Sequence, residues 1–125
     1  FKFDEIINSL PIDKHIFLKI DIEGSEYNIL NDIIFYENKF LGIIIEFHEV
    51  EKHIKQIRKF VKNLSLSLVH VHVNNFGDIS KNGVPNVIEI TFSKFHTNET
   101  FNMNIPNDLD SPNDKSSEEI LINFK

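Results

Sequence analysis

The hydrophobic residues of this chain alternate between strand-like and helix-like spacing, and this alternation constrains the fold more than any other feature of the sequence. Residues 15–22 and 43–48 are short runs dominated by β-branched and aromatic side chains, too short for typical helices. In the segments that follow them, 27–34 and 50–64, apolar residues recur every three to four positions. Because strands separated by helices pair in parallel through right-handed crossovers, the pattern predicts an open α/β sheet.

Further elements are predicted on both sides of these two strand–helix units. A short amphipathic helix runs from Phe3 to Leu10 and ends at Pro11. Residues 66–74 and 84–93 are strand-like runs separated by strong turn formers, which predicts a terminal hairpin that adds an antiparallel edge to the sheet. We therefore expect a mixed sheet, parallel in its first half.

The last quarter of the chain has a different composition. Residues 96–125 are rich in Asn, Asp, Ser and Pro, which predicts a loop-like tail with a possible last strand over 120–124. A chain of 125 residues with 41% hydrophobic content is long enough for one core and too short for two. We expect a single domain over 1–125, with the sheet and helices in 1–95 and the tail in 96–125.

Charge and composition exclude several classes of function. The net charge is −6 and no block of like charge is present, so a phosphate backbone or an anionic membrane surface would be repelled. Cysteine is absent, which excludes disulfides and thiolate zinc sites. No apolar run reaches the length of a bilayer span and no signal-peptide pattern is visible, so we expect a cytoplasmic protein. No glycine-rich nucleotide loop can be formed from the four glycines, at 24, 42, 77 and 83.

Polar side chains close several of the predicted strands. In open α/β sheets, ligands bind in the crevice beyond the carboxyl ends of the strands. Period-2 alternation places Asp21 and Glu23 on one face after the first strand, and Glu46 and His48 on one face after the second. The later strands carry two more same-face sets, which are His70 with His72 and Asn74, and Glu89 with Thr91.

Ionisable groups in an apolar strand cost free energy unless they are paired or hydrogen-bonded, so this clustering favours a site. Carboxylate and imidazole groups could bind a divalent ion or supply a general base near neutral pH. Taken singly, His48, His70 or His72 is better explained as a structural histidine, and Gly24 is equally well explained as part of a helix cap. The remaining histidines are expected to be surface or structural: His15, His53 and His96.

The stretch LKIDIEGSEYNIL, residues 18–30, closely resembles the hallmark segment of FkbM-type S-adenosylmethionine-dependent methyltransferases. Three later segments resemble that family's following strands, and the tail around 109–113 and 118–124 is also similar to its relatives: IIIEFHE at 43–49, HVHVNNFG at 70–77 and VPNVIEITF at 84–92. The resemblance implies a Rossmann-like methyltransferase sheet. On this resemblance, the chain is the C-terminal half of such a sheet and consists of two parallel βα units followed by an antiparallel hairpin. The N-terminal half, which binds the methyl donor, is absent from it. We expect a fragment that is not active by itself.

The resemblance also implies a reaction and roles for residues. The reaction is methyl transfer from S-adenosylmethionine to a hydroxyl oxygen of a small acceptor such as a sugar, which needs a base or an activating divalent metal. His48 is the candidate base, with Asp21 and Glu23 as catalytic or donor-side contacts and Gly24 beside them. The acceptor side is assigned to four residues: His72, Asn74, Asn75 and Glu46.

Two other functions remain open at this point. One is a non-catalytic accessory module that binds a sugar or a partner protein. The other is a metal-dependent, hydrolase-like site built from a set of four residues, Asp21, Glu23, His48 and His72, which would bind a divalent metal without affinity for a methyl donor. Acceptor selectivity is expected in residues 70–77 and 97–115, because specificity is usually carried by loops.

Overall fold

A computed structural model describes residues 2–11, 13, 15–95, 104–106 and 108–123. The helices are α1 Phe3–Ser9, α2 Leu30–Phe35 and α3 Val50–Asn63, with short 3-10 segments at Glu26–Asn28 and Glu37–Lys39. The strands are β1 Ile16–Ile20, β2 Phe40–Phe47, β3 Ser67–Val73, β4 Ile88–Ser93, β5 Asn104–Ile105 and β6 Ile122–Asn123. His96 and Phe124, which were assigned from the sequence to the surface and to the last strand, lie outside the described residues.

The four long strands form one mixed sheet in the order β1-β2-β4-β3. β1 and β2 are parallel, and β4 is antiparallel to both β2 and β3. β1, β2 and β3 therefore run in the same direction, and their carboxyl ends lie at one edge of the sheet. This confirms the α/β class, the parallel first pair and the hairpin.

The position of the hairpin differs from expectation, because its antiparallel strand β4 is internal and β3 forms the edge. The pattern of burial explains the order. Ile90 and Phe92 of β4 are buried, as internal positions require, whereas His70 and His72 of β3 are only half-buried. A strand that carries two imidazoles is better tolerated at the edge, where water reaches one side.

The hydrophobic core lies between one face of the sheet and the helices. The apolar stripe of α3 buries Val50, Ile57 and Phe60. The Phe60 ring contacts Phe47 and Phe92 edge-on, with centroid separations of 6.3 and 5.7 Å. As predicted, the basic residues of this helix are all exposed: Lys52, Lys55, Arg58, Lys59 and Lys62. No helix among the described residues is long and apolar enough to cross a membrane.

Three predicted elements are shorter or less regular than expected. The helix predicted after Gly24 is divided into the 3-10 turn Glu26–Asn28 and α2, and Ser25 makes no side-chain capping bond. The predicted strand over 84–93 begins only at Ile88, because the preceding residues turn back and Pro85 bridges to Ile79. The expected last strand is reduced to β6, which pairs with β5 in a separate small sheet.

The face of the sheet opposite the helices is exposed near β1. Phe17 and Lys19 of β1 are exposed there. The Phe17 ring lies directly over Gly42 of β2, where an added Cβ would come within 2.4 Å of it. Gly42 is therefore the residue that lets this aromatic ring rest on the sheet.

Replacing the central aromatic residue of α3 tests the packing. We expect Phe60→Ala to lower the free energy of unfolding by about 3–5 kcal/mol, since it removes a fully buried ring. Phe35→Ala is the matched control, because that ring is 77% exposed and its loss should change stability by no more than about 0.5 kcal/mol. Urea denaturation of both variants checks this, and equal effects would contradict the described core.

Candidate active site

The side chain of His48, directly after β2, is the centre of a cluster of carboxylates. Its Nε2 atom lies 3.5 Å from Glu23 Oε2, 3.5 Å from Glu46 Oε1 and 3.9 Å from Asp21 Oδ1. The imidazole is 14% exposed, so it is held in the wall of the crevice and not on the open surface. The ends of two neighbouring parallel strands thus bring together the four residues predicted to meet there.

The backbone reaches this arrangement by a route that strand alternation did not predict. β1 ends at Ile20, before either carboxylate, and Glu23 adopts a left-handed conformation with φ of 53°. Such a conformation is uncommon for a residue other than glycine. It forms the turn that carries both Asp21 and Glu23 towards His48.

A buried carboxylate behind His48 holds the site together. Glu26 is 0% exposed, and its Oε1 accepts the His48 backbone N–H at 2.7 Å while its Oε2 accepts the Gly24 N–H at 2.9 Å. The same Oε1 lies 3.3 Å from His48 Nδ1. A buried carboxylate needs such donors, and here they come from the ends of both strands.

This contact also sets the direction of the imidazole. Nδ1 faces the acceptor Glu26 Oε1, and Nε2 is directed towards Glu23, Glu46 and Asp21. Sequence reasoning did not single out Glu26, although it lies within the quoted hallmark segment. The one sequence feature that could have indicated its role is an acidic residue in the first turn of a segment whose other residues are mostly apolar.

Tyr27 supports the same loop from the other side. Its hydroxyl donates to the carbonyl oxygen of His48, and its ring stacks on His53 with centroids 3.8 Å apart. Burial, followed by the nearby charges of Glu26 and Glu49, raises the pKa of Tyr27 well above its usual value. The phenol therefore stays a neutral donor that fixes the His48 backbone.

Glu46 is the carboxylate most affected by its surroundings. Burial, and after it the charge of Asp21, raise the pKa of Glu46, and the charge of Glu89 adds a smaller effect in the same direction. The hydrogen bond that Asn74 donates to Glu46 Oε1 at 3.2 Å opposes this rise, as does His48. Asn74 is thereby brought into the cluster, as the sequence suggested.

Two other predicted residues lie nearby but make different contacts. His72 is opposite Glu89 in the β3–β4 register, and its Nε2 is buried without a hydrogen-bond partner. Asn75 is 7% exposed, and its side chain holds the tail: it donates to the carbonyls of Asp114 and Ser117 and accepts the Asp114 N–H. The Asn75 amide is thus engaged with the backbone of its own chain.

Of the remaining histidines, His70 lies away from His48 and its Nε2 is 2.8 Å from Asp110 Oδ1 in the tail. His15 is exposed, and His53 bonds to Gln56 on the surface of α3, in agreement with the surface or structural roles expected for both. Gly24 has φ of 95°, so its place in the turn requires the conformational freedom of glycine.

The fold and the cluster define an α/β protein with a polar crevice at the carboxyl ends of parallel strands, the usual position of a ligand site in this class. A family model of the Methyltransferase FkbM domain matches residues 1–68, more than half of the chain. The chain therefore belongs to the FkbM methyltransferase family. The matched region contains His48, Glu26 and the three carboxylates around Nε2, whereas His72, Asn74 and Asn75 lie beyond it. Comparisons with curated proteins and with solved structures give no match.

Removing the Glu26 carboxylate should disturb the site and the fold together. In Glu26→Ala, the N–H groups of Gly24 and His48 lose their acceptor, and we expect a loss of about 1–3 kcal/mol for each donor left buried and unpaired. Glu37→Ala is the control, because Glu37 accepts a single backbone N–H at an exposed position. Thermal unfolding compares the two, and a Glu26 variant as stable as the Glu37 variant would contradict the proposed bridge.

Neutralising Glu46 should stabilise the protein near neutral pH. The pKa of Glu46 is raised on folding, so its ionisation costs stability as pH rises through the folded-state pKa, and the cost vanishes below the unfolded-state pKa. Glu46→Gln keeps the Oε1 acceptor for Asn74 and removes the charge. We expect it to be more stable than the parent at pH 7 and equal to it near pH 4, measured by denaturant unfolding with a chelator present. A variant less stable at both pH values would contradict this account.

Proposed function

We propose that this chain takes part in S-adenosylmethionine-dependent methyl transfer to a hydroxyl oxygen of a small acceptor, such as a sugar. Membership of the FkbM family indicates methyltransferase activity in general, and such enzymes use S-adenosylmethionine. The observation that carries the finer proposal is the imidazole of His48, whose Nε2 is directed into the crevice while Nδ1 is held by Glu26.

When bound, S-adenosylmethionine supplies an electrophilic methyl group on a cationic sulfonium. The residues of this edge suit a cation, because Asp21, Glu23 and Glu46 give it a negative potential. Gly24 lies in the same turn as Asp21 and Glu23, so this turn is assigned to the donor side. The contacts of the donor's nucleoside are not assigned to any residue of this chain.

His48 is proposed to accept the proton that the acceptor hydroxyl loses as its oxygen forms the new bond to carbon. Its Nε2 lone pair faces the crevice, and the charge that develops on the ring after protonation is stabilised by the surrounding carboxylates. Glu26 on Nδ1 keeps the ring in the required tautomer, as a carboxylate does behind a general-base histidine.

The acceptor is proposed to lie towards β3, against Glu46 and Asn74. These two side chains are hydrogen-bonded to each other, and Asn74 directly follows β3. His72, whose buried Nε2 has no hydrogen-bond partner, is included on the acceptor side because the family resemblance implies it. Asn75 contributes indirectly, by holding the tail segment at Asp114 beside the crevice.

Isothermal titration of S-adenosylmethionine into the 125-residue chain, and into the longest form that its gene encodes, tests donor binding. In a form that binds, transfer of an isotopically labelled methyl group to a panel of simple sugars tests the reaction. We expect His48→Ala to lower the rate constant of transfer by about 10²–10⁴-fold, the range of general-base catalysis, with little change in donor affinity. The control His15→Ala alters an exposed imidazole and should be unchanged.

Two outcomes would reject this proposal. If no form of the protein binds the donor, the methyltransferase activity fails for this chain, and sugar binding without transfer would favour the accessory module. If transfer proceeds at the parental rate in His48→Ala, the base is another group.

A further inference from the structure

We propose that His48, Asp21, Glu23 and Glu46 bind a divalent transition-metal ion of the Mn²⁺ type at the ends of β1 and β2. The four side chains offer one imidazole nitrogen and three carboxylates from two strand ends. The ligand atoms of Asp21, Glu23 and His48 all lie within 4.8 Å of one another. This proposal concerns binding of the ion alone and does not depend on methyl transfer. It competes with the base role proposed for His48, because Nε2 bound to an ion cannot also accept a proton.

The charges of the cluster are not balanced by protein cations. Among the residues that the structure describes, no lysine or arginine forms an ion pair with Asp21, Glu23 or Glu46, since Lys19 pairs with Glu89 and Lys52 with Glu49. Three carboxylates around one imidazole leave a net negative charge even when the ring is protonated. A divalent cation would remove this repulsion.

The orientation of His48 is a separate observation that points to a cation. With Nδ1 directed to the buried Glu26, Nε2 faces oxygen atoms of Glu23 and Glu46 at 3.5 Å. This separation is longer than a direct hydrogen bond and leaves room for an ion bound to both groups. Metal-binding histidines commonly donate their other ring nitrogen to a carboxylate in this way, which fixes the tautomer and strengthens the ligand.

The distances in the cluster suit a shared ion. Ligands about 2.1 Å from one cation lie about 3 Å apart when adjacent and about 4.2 Å apart when opposite. The separations from His48 Nε2 to the three carboxylates, 3.5, 3.5 and 3.9 Å, fall within that interval. Asp21 and Glu23 are exposed, so an ion can enter from solvent and their side chains can close the longer separations.

The ligand set favours a transition metal over the alkaline-earth ions. Mg²⁺ and Ca²⁺ prefer sites made only of oxygen, whereas an imidazole combined with carboxylates suits Mn²⁺, Fe²⁺ or Zn²⁺. Mn²⁺ is the probe of choice because the bound and free ions differ in their electron paramagnetic resonance spectra.

Titration of Mn²⁺ into the metal-free chain, followed by electron paramagnetic resonance, tests the proposal. We expect one equivalent to bind and an equal concentration of Mg²⁺ to leave it in place. Asp21→Asn and His48→Ala should each weaken binding by at least about tenfold, while Asp32→Asn and His15→Ala, which alter an exposed carboxylate and an exposed imidazole elsewhere, should not. Circular dichroism confirms that each variant is folded, and the exposed position of Asp21 keeps the test valid if His48→Ala unfolds.

A spectroscopic signature separates ligation from mere structural support. Coupling of the bound Mn²⁺ to an imidazole nitrogen should be present in the parent protein and absent in His48→Ala. Glu26→Gln, which alters a positioning residue behind the ring, should weaken Mn²⁺ binding by about 10–100-fold and keep the coupling.

The proposal is overturned if Mn²⁺ binds only with a dissociation constant above about 1 mM, or if binding survives both Asp21→Asn and His48→Ala. No donor or acceptor is present in these titrations, so metal binding without methyl transfer would reject the proposed function alone. Transfer that is unaffected by a chelator, in a protein that binds no Mn²⁺, would reject the metal site alone.

Discussion

The buried carboxylate of Glu26 is the interaction on which the site depends. It accepts hydrogen bonds from the backbone after β1, at Gly24, and from the backbone after β2, at His48. A carboxylate with no exposed surface is costly to bury unless its lone pairs are satisfied, and these two N–H groups are among the few donors that a parallel strand pair leaves free at its carboxyl edge. The two strand ends are therefore held together by the same atoms that orient the imidazole.

Carboxylates that stabilise the fold and carboxylates that destabilise it lie within a few ångströms of each other in this site. The inner carboxylate, Glu26, is satisfied by hydrogen bonds and supports the fold. The outer carboxylates repel one another, and burial raises the pKa of Glu46. A glutamine in place of Glu46 would keep the hydrogen bond from Asn74 without the charge, so packing alone does not require an ionisable group at this position. A carboxylate whose ionisation is disfavoured in the folded state is better explained by a reaction or a bound ligand.

The sequence was sufficient to predict the helices and strands whose hydrophobic periodicity is long and unbroken. The fourteen-residue helix α3 was predicted nearly to the residue, because a full apolar stripe admits few alternatives. The run of isoleucines located β2, although the strand begins at Phe40, three residues before the predicted start. It was insufficient where tertiary contacts override local pattern. Burial of Glu26 replaces the expected regular helix with a 3-10 turn, and the engagement of Asn75 with the tail joins residues about forty positions apart.

The candidate site shows the same division. That Asp21, Glu23, Glu46 and His48 would meet follows from a general property of parallel sheets, that strand ends share an edge. The contacts among these groups could not be predicted, because they depend on the left-handed backbone conformation of Glu23. They also depend on the burial of Glu26, which in the sequence resembles an ordinary surface residue of a helix. Alternation alone would have placed the carboxylates correctly for the wrong reason, since β1 ends before them.

The internal position of β4 explains how groups from the third and fourth strands reach the same edge. β1, β2 and β3 all end there, which brings Asn74 after β3 into contact with Glu46 of β2. β4 runs in the opposite direction, so its first residues and not its last lie at this edge, and Glu89 near its start is paired in register with both Glu46 and His72. An antiparallel strand inserted between two parallel ones thus places a further carboxylate beside Glu46, and Lys19 of β1 pairs with it.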